Sequence, residues 1–164
     1  MDMAVDLVQK SNAKLVGIQA PEGLKRAMPA IARRIAKETG AEVIISGDPC
    51  YGACDVDLKL CEDVDLLLHL GHAELDDRQE KVVFLEVRMH NDIGPAVEKA
   101  ALLFRTKRVG VTTTIQHVHK LVQIIEVLQK HGIEGVPGPA GGRVMHAGQV
   151  LGCCYRSARA LNLD

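Results

Sequence analysis

The chain has 164 residues, 47% of them hydrophobic and 25% charged, so it is long enough and apolar enough to fold around a core. Its 20 Lys and Arg nearly balance 21 Asp and Glu, which excludes a general attraction to phosphate backbones or anionic membranes. With two Tyr, two Phe and no Trp, it lacks the stacking platforms of base-binding modules.

Targeting signals are not evident in the sequence. No apolar run approaches the roughly 20 residues that span a bilayer. Asp2 and Asp6 make the N-terminus acidic, unlike a secretory signal. We therefore expect a cytoplasmic protein. In that reducing compartment its five cysteines favour metal binding or catalysis over disulfides.

The first half alternates short apolar runs with amphipathic segments. Strands are predicted at residues 14–19, 42–46, 65–70 and 81–87, and helices at 24–39 and 56–63. Gly40 is expected to end the longer helix, because glycine readily adopts the left-handed conformation found there.

The pattern restarts after residues 90–92. The elements predicted here are helices at 96–104, 114–131 and 155–161, strands at 108–112 and 147–151, and a Pro/Gly-rich loop at 135–142. Thr114 is the expected N-cap of the longest helix, and Gly132 its terminator.

Alternating strands and helices with continuous apolar strands are typical of an α/β fold, in which a parallel sheet is flanked by helices. We place a first α/β domain at residues 1–92 and a second, related one at 93–164. The second half holds fewer predicted strands than the first. We therefore expect one complete domain and part of a second.

Chemistry is expected beyond the carboxyl ends of the strands, where parallel sheets bind ligands. Turn formation explains the glycines and prolines of those loops, but not Cys50 and Cys54 together. Their spacing with Cys61 matches neither a zinc ribbon nor a CxxxCxxC run, because Asp57 stands at the third position. Cys61 is expected in the core. Spacing leaves open whether cysteines from the two halves share a metal.

The positions of the histidines in the predicted elements distinguish those expected in the core from those that could belong to a site. His69 lies inside a predicted strand and is expected in the core, whereas His72 follows the strand and is better placed for a site. His117 and His119 fall on the first turn of the long predicted helix, where backbone N–H groups could bind an anion.

Five segments together carry a more specific signal. They are QAPEGL from Gln19, GDPCYGACD from Gly47, HLGH from His69, TTTIQHVH from Thr112 and GQVLGC from Gly148. In this order they resemble motifs of the 2-(3-amino-3-carboxypropyl)histidine synthase family, the radical enzymes of archaeal diphthamide synthesis. The YGAC and QVLGC motifs are the most specific.

The resemblance implies three related α/β domains around a 4Fe–4S cluster, with one cysteine from each domain. Cys54 and Cys153 match the ligand positions, and Cys50, Cys61 and Cys154 do not. The fourth iron would be open to S-adenosylmethionine (SAM), whose 3-amino-3-carboxypropyl group would be transferred to a histidine of translation elongation factor 2. Candidate SAM contacts in the matching motifs are Glu22, Gly23, Thr113, Gln116 and His117. No catalytic residue is assigned.

The same resemblance implies a set of binding partners and leaves two alternative functions open. The partners are elongation factor 2, a second copy in a homodimer, and the missing third domain in cis or in trans, with no direct contact to nucleic acid or membrane. One alternative is a non-catalytic partner or fragment of the enzyme without a working cluster. Another is a quinolinate synthase, which has a similar triplicated fold and cluster, but the YGAC motif argues against it.

Overall fold

The computed structural model describes residues 2–75 and 80–162. It divides into two compact units, Met1–Val87 and Arg88–Asp164. The guanidinium of Arg88 donates to the carbonyl of Ile115 at 3.1 Å, and the amide of Met89 donates to the carbonyl of Gln116 at 3.0 Å. These bonds attach the segment after Val87 to the second unit, so the boundary predicted at residue 92 lies inside that unit.

The first unit is a four-stranded sheet flanked by helices. All neighbouring strands are parallel, in the order β2-β1-β3-β4, which confirms the predicted fold class. The elements in chain order are α1 Asp2–Ser11, β1 Leu15–Gln19, α2 Glu22–Lys25, α3 Met28–Thr39, β2 Glu42–Ile45, α4 Leu58–Asp63, β3 Leu66–Leu70 and β4 Val82–Leu85.

The two central strands of this sheet, β1 and β3, are buried on both faces, whereas the edge strand β2 is mostly exposed. Side chains alternate along a strand, so Leu66 and Leu68 of β3 face the core built with α1 and α3, and Leu67 faces the smaller core built with α4. His69 follows the same alternation and shares the α4 face with Leu67. This burial on two sides explains why the sequences of β1 and β3 are nearly continuous apolar runs.

Two helices of the first unit differ from the prediction. α1 was not predicted, although Ala4, Val5 and Val8 bury one of its faces. The helix predicted at residues 24–39 is two helices, α2 and α3. Pro29 lies at the start of α3, where its missing N–H is tolerated. Gly40 ends α3 with φ 74°, as expected.

The second unit contains a two-stranded parallel sheet, β5-β6, with a helix between its strands. Its elements are α5 Gly94–Ala101, β5 Arg108–Val111, a 3-10 turn Val118–Lys120, α6 Leu121–Lys130, β6 Glu134–Pro137 and α7 Arg156–Arg159. Its core includes Val109, Val111 and Leu128. Among the described residues of either unit, no helix is long and apolar enough to cross a membrane.

The long helix of this unit begins later than predicted. Thr113 pairs with Gln149 in an extended bridge, and the amide of His117 donates to the carbonyl of Thr114 in a turn. The α-helix therefore starts at Leu121, and the expectation that Thr114 is its N-cap was wrong. Gly132 follows its end with φ 69°, as expected.

Two further assignments in this unit were wrong. Residues 134–137, predicted mostly as loop, form β6 because they pair with all four residues of β5. Residues 147–151, predicted as a strand, form only isolated bridges. Gly148 adopts φ 71°, which interrupts an extended conformation.

The close approach at Gly138 yields a stability prediction. A Cβ at Gly138 would lie 1.9 Å from the carbonyl oxygen of Ser157, whereas one at Gly152 would meet nothing within 4 Å. We expect Gly138→Ala to lower the free energy of unfolding by about 2 kcal/mol, since backbone must move. Gly152→Ala is the control and should change it by less than about 0.5 kcal/mol. Urea unfolding measures both, and equal effects would contradict the packing described.

Candidate metal centre

The five cysteines differ in their exposure to solvent. Cys54 and Cys153 are exposed, Cys154 is half-buried, and Cys50 and Cys61 are buried. Cys61 packs in the α4 core, as the sequence predicted. Because a cluster shared between domains can be bound only by thiolates that reach the surface of their own unit, Cys54 and Cys153 are the best-placed thiols for such a group. Whether they are ligands stays a prediction.

The loop that carries Cys54 is held by the side chain of Gln19, at the end of β1. Gln19 is only 1% exposed. Its amide nitrogen donates to the carbonyl of Asp55 at 2.8 Å, and its oxygen accepts from the amide of Asp57 at 3.1 Å. One buried side chain thus fixes the backbone directly after Cys54.

A second anchor lies at the end of the same loop. Asp57 is the N-cap of α4, and its carboxylate accepts from the amide of Leu60 at 3.0 Å. The other carboxylate oxygen accepts from the hydroxyl of Ser46 at 2.7 Å. The loop is therefore attached at both ends, and the thiol of Cys54 lies between fixed points.

The loop before Cys153 is held in a similar way by Gln149, which is fully buried. Its side-chain oxygen accepts from the amides of Met145 and His146, both at 3.1 Å. The backbone on either side of it pairs with Thr113, whose amide donates to Gly148 and whose carbonyl accepts from Val150. Gln149 therefore fixes the chain a few residues before Cys153.

Cys153 lies in a turn closed by two hydrogen bonds between the backbones of Leu151 and Cys154, at 3.0 and 3.2 Å. Beside it is a pocket of about 470 Å³. The pocket is lined by Cys153, Cys154, Tyr155, Arg156, Arg159 and Ala160. Two guanidinium groups thus give this pocket a positive charge.

Two of the five predicted SAM contacts, Glu22 and Gly23, lie in α2, directly beyond β1. The carboxylate of Glu22 pairs with the ammonium of Lys25 at 2.6 Å. That ammonium also donates to the carbonyls of Gly47 and Asp48, so α2 is joined to the loop of Cys54. A Cβ at Gly23 would meet nothing within 4 Å, so its backbone is open to an approaching ligand.

The other three predicted contacts lie in the second unit. Thr113 is in the bridge beside Gln149, and the carbonyl of Gln116 accepts from Met89. His117 has a buried Nδ1 with no hydrogen-bond partner among the residues described. The N-terminal anion site predicted at His117 and His119 was wrong, because α6 begins after both residues.

A second cluster of ligating side chains was not predicted as a group. Cys50, His69 and His72 each offer one ligand atom, and these atoms lie within 4.8 Å of one another. Sγ of Cys50 is 3.7 Å from Nε2 of His69, which is 2.8 Å from Nδ1 of His72. The HLGH spacing hinted at the two histidines, but only the fold brings Cys50 to them.

Burial sets the charge state of this cluster. His69 is fully buried, and burial, followed by the charge of His72, lowers its pKa from 6.5 to about 4. Burial also lowers the pKa of His72 and raises that of the Cys50 thiol. Near neutral pH the cluster therefore consists of two neutral imidazoles and a neutral thiol.

These features define an α/β protein of two parallel-sheet units, each presenting an exposed cysteine in a braced loop. The chain belongs to the diphthamide synthesis protein family, whose model matches residues 20–164. It is 34% identical over 159 residues to the 2-(3-amino-3-carboxypropyl)histidine synthase of Pyrococcus horikoshii, covering 93% of this chain and 46% of that protein.

Two further relatives agree with this assignment. Subunit 1 of the same synthase from Encephalitozoon cuniculi is 34% identical, with 89% of this chain and 42% of that protein covered. The crystal structure of Dph2 from Pyrococcus horikoshii with a 4Fe–4S cluster superposes with a TM-score of 0.87 at 31% identity, covering 96% of this chain and 48% of that one. The chain thus spans about half the length of the relatives it matches.

The role of Gln19 can be tested by Gln19→Met, which keeps the volume and removes both hydrogen bonds. We expect a loss of about 2 kcal/mol in the free energy of unfolding, because the backbone groups of Asp55 and Asp57 lose their partner. Alkylation of Cys54 should also accelerate as its loop loosens. Gln129→Met, on the exposed side of α6, is the control. Unchanged stability and alkylation in Gln19→Met would contradict the bracing role.

The pKa of His69 predicts acid sensitivity. Between pH 6.5 and about 4, His69 binds a proton in the unfolded chain but not in the folded chain. Its contribution to the free energy of unfolding is therefore fully present above pH 6.5 and is lost as the pH falls toward about 4. The full loss is about 3 kcal/mol. Urea unfolding with a chelator present, from about pH 7 to about pH 4.5, measures it. His69→Gln should flatten the profile, and an unchanged slope in that variant would contradict the assignment.

Proposed function

We propose that this chain supplies two thiolate ligands, Cys54 and Cys153, to a 4Fe–4S cluster in a 2-(3-amino-3-carboxypropyl)histidine synthase. The enzyme transfers the 3-amino-3-carboxypropyl group of SAM to a histidine of translation elongation factor 2, the first step of diphthamide biosynthesis. The observation that carries the proposal is the exposure of these two cysteines, in the motifs that match the family, while Cys50 and Cys61 are buried.

The two thiols fit a cluster chemically. Thiolates are the soft ligands that iron–sulfur clusters require, and both lie on loops held by a buried glutamine. A ligand held in place by its own loop loses little conformational freedom on binding. When bound, the cluster supplies the electron for radical cleavage of the bond between sulfur and the methionine γ-carbon.

The chain's own residues would bind and orient SAM. The guanidinium groups of Arg156 and Arg159, beside Cys153, suit the carboxylate of the methionine part, because guanidinium and carboxylate pair through two parallel hydrogen bonds. Buried polar atoms without partners among the described residues, Nδ1 of His117 and Nε2 of Gln149, are sites that a ligand could satisfy. Glu22, Gly23, Thr113 and Gln116 remain proposed contacts.

A third thiolate is needed. Of the five cysteines only two are exposed, whereas three protein ligands are required to leave one iron of four for SAM. We propose that the third comes from a further domain, in the same chain or another, and that the working protein is a cytoplasmic homodimer acting on elongation factor 2. Direct contact with nucleic acid or a membrane is not part of the proposal.

Cluster loading tests the ligand assignment. After anaerobic reconstitution with the third-domain segment added, Cys54→Ala and Cys153→Ala should each lower iron and sulfide content and cluster absorbance at least about tenfold, because a ligand is lost. Cys61→Ala, a cysteine of the α4 core, is the matched control and should retain the cluster. Equal loss in all three variants would contradict the assignment.

Transfer activity separates the enzyme from a non-catalytic partner. With dithionite as reductant, label from carboxyl-labelled SAM should appear on elongation factor 2 only when the third-domain segment is present. Transfer by the 164-residue chain alone would show that another residue supplies the third ligand. A complemented mixture that holds a cluster but transfers no label would favour the non-catalytic partner.

A further inference from the structure

Cys50, His69 and His72 have no role in the proposed cluster chemistry, although they meet inside the first unit. We propose that they form a separate zinc site, with Sγ of Cys50, Nε2 of His69 and Nδ1 of His72 as ligands. The proposal goes beyond the function argued above and uses neither Cys54 nor Cys153. Cysteine and histidine are the ligands that Zn²⁺ favours.

Two of the three distances between ligand atoms lie near those of a tetrahedral ion, and the third, from Sγ of Cys50 to Nδ1 of His72, is within 4.8 Å. Tetrahedral Zn²⁺ places a sulfur and a nitrogen ligand about 3.6 Å apart and two nitrogens about 3.4 Å apart. Sγ of Cys50 lies 3.7 Å from Nε2 of His69. Nε2 of His69 lies 2.8 Å from Nδ1 of His72, so these two nitrogens need to separate by only about half an ångström.

Two contacts of this cluster converge on one nitrogen, Nε2 of His69, although the thiol of Cys50 also faces the carbonyl of Gly52 at 4.0 Å. A neutral imidazole nitrogen offers either one N–H or one lone pair, and so forms one ordinary hydrogen bond. Nε2 of His69 nevertheless faces both the thiol of Cys50 and Nδ1 of His72. An ion at the point where the three atoms converge would bind all of them at once.

The ligands are held by the fold. His69 belongs to β3, and its ring packs against Phe84 of β4 with the ring centroids 4.7 Å apart. Gly71 adopts φ 92° and turns the chain, so that the ring of His72 returns to that of His69. Cys50 is 2% exposed. A site whose ligands are already fixed needs little rearrangement to bind its metal.

Charge also favours a divalent ion. Zn²⁺ with one thiolate and two neutral imidazoles carries one net positive charge. Asp55, whose negative charge acts on all three ligands, would offset it. Three protein ligands leave the fourth position of the ion for water, as in catalytic zinc sites. His72 is only half-buried and gives that position a route to solvent.

Cobalt(II) is the probe, since it replaces zinc and reports thiolate ligation by a charge-transfer band. The background is the full chain with Cys54, Cys153 and Cys154 changed to Ser, which removes the cysteines proposed for the cluster or adjacent to it. We expect about one equivalent of Co²⁺ to bind with a thiolate band, and Zn²⁺ to displace it. Because this background lacks the cysteines proposed for the 4Fe–4S cluster, the result does not depend on whether that proposal is correct.

Variants assign the ligands. Cys50→Ala should abolish the thiolate band, while Cys61→Ala, the other buried cysteine of this unit, should keep it. His72→Ala, at a half-buried position, should weaken Co²⁺ binding at least about tenfold with an unchanged circular dichroism spectrum. No thiolate band in the background chain, a band that survives Cys50→Ala, or unchanged affinity in His72→Ala would overturn the proposal.

Discussion

The side chain of Gln19 is the contact on which the first cysteine loop depends. It is buried at the carboxyl end of β1, and it both donates to and accepts from the backbone directly after Cys54. A buried amide is costly unless both of its ends are satisfied, so the loop and the side chain stabilise each other. An apolar residue would bury equally well at this position but could not fix the backbone.

The second unit also holds its cysteine loop with a buried glutamine, but only the side-chain oxygen of this residue has partners among the described residues. Gln149 is buried four positions before Cys153 and accepts from two successive amides, those of Met145 and His146. In both units a glutamine, rather than a charged residue, makes these contacts. A neutral amide avoids the desolvation cost of a carboxylate while still bonding to the backbone. The thiol nearby is thereby positioned and yet exposed.

The sequence predicted the parts of the fold that depend on local pattern. Strands β1 and β3 were found because burial on both faces makes their apolar runs continuous, and β2 and β4 were found because their short runs are also apolar. The start of α6 was missed because Thr113 pairs with Gln149, a partner far along the chain that overrides the helical pattern after it. β6 was missed because a segment rich in Gly and Pro becomes a strand only through its pairing with β5.

The candidate sites, like the fold, were predictable from the sequence only in part. The motifs directed attention to Cys54 and Cys153, but neither spacing nor composition could show that these two thiols are exposed and Cys50 is buried. That difference follows from the register of the sheet, which pairs Gln19 with His69 and places Cys50 against the imidazole of His69.

Burial also separates the chemistry of the two kinds of thiol. Cys50 lies in a closed environment that holds its thiol protonated until a metal displaces the proton, and the two imidazoles beside it are already in the neutral form that binds metal. Cys54, a few residues along the same loop, is exposed to solvent. One short loop therefore presents two thiols in different environments, because the fold turns one inward and the other outward, and this difference is the reason that we propose different metals for them.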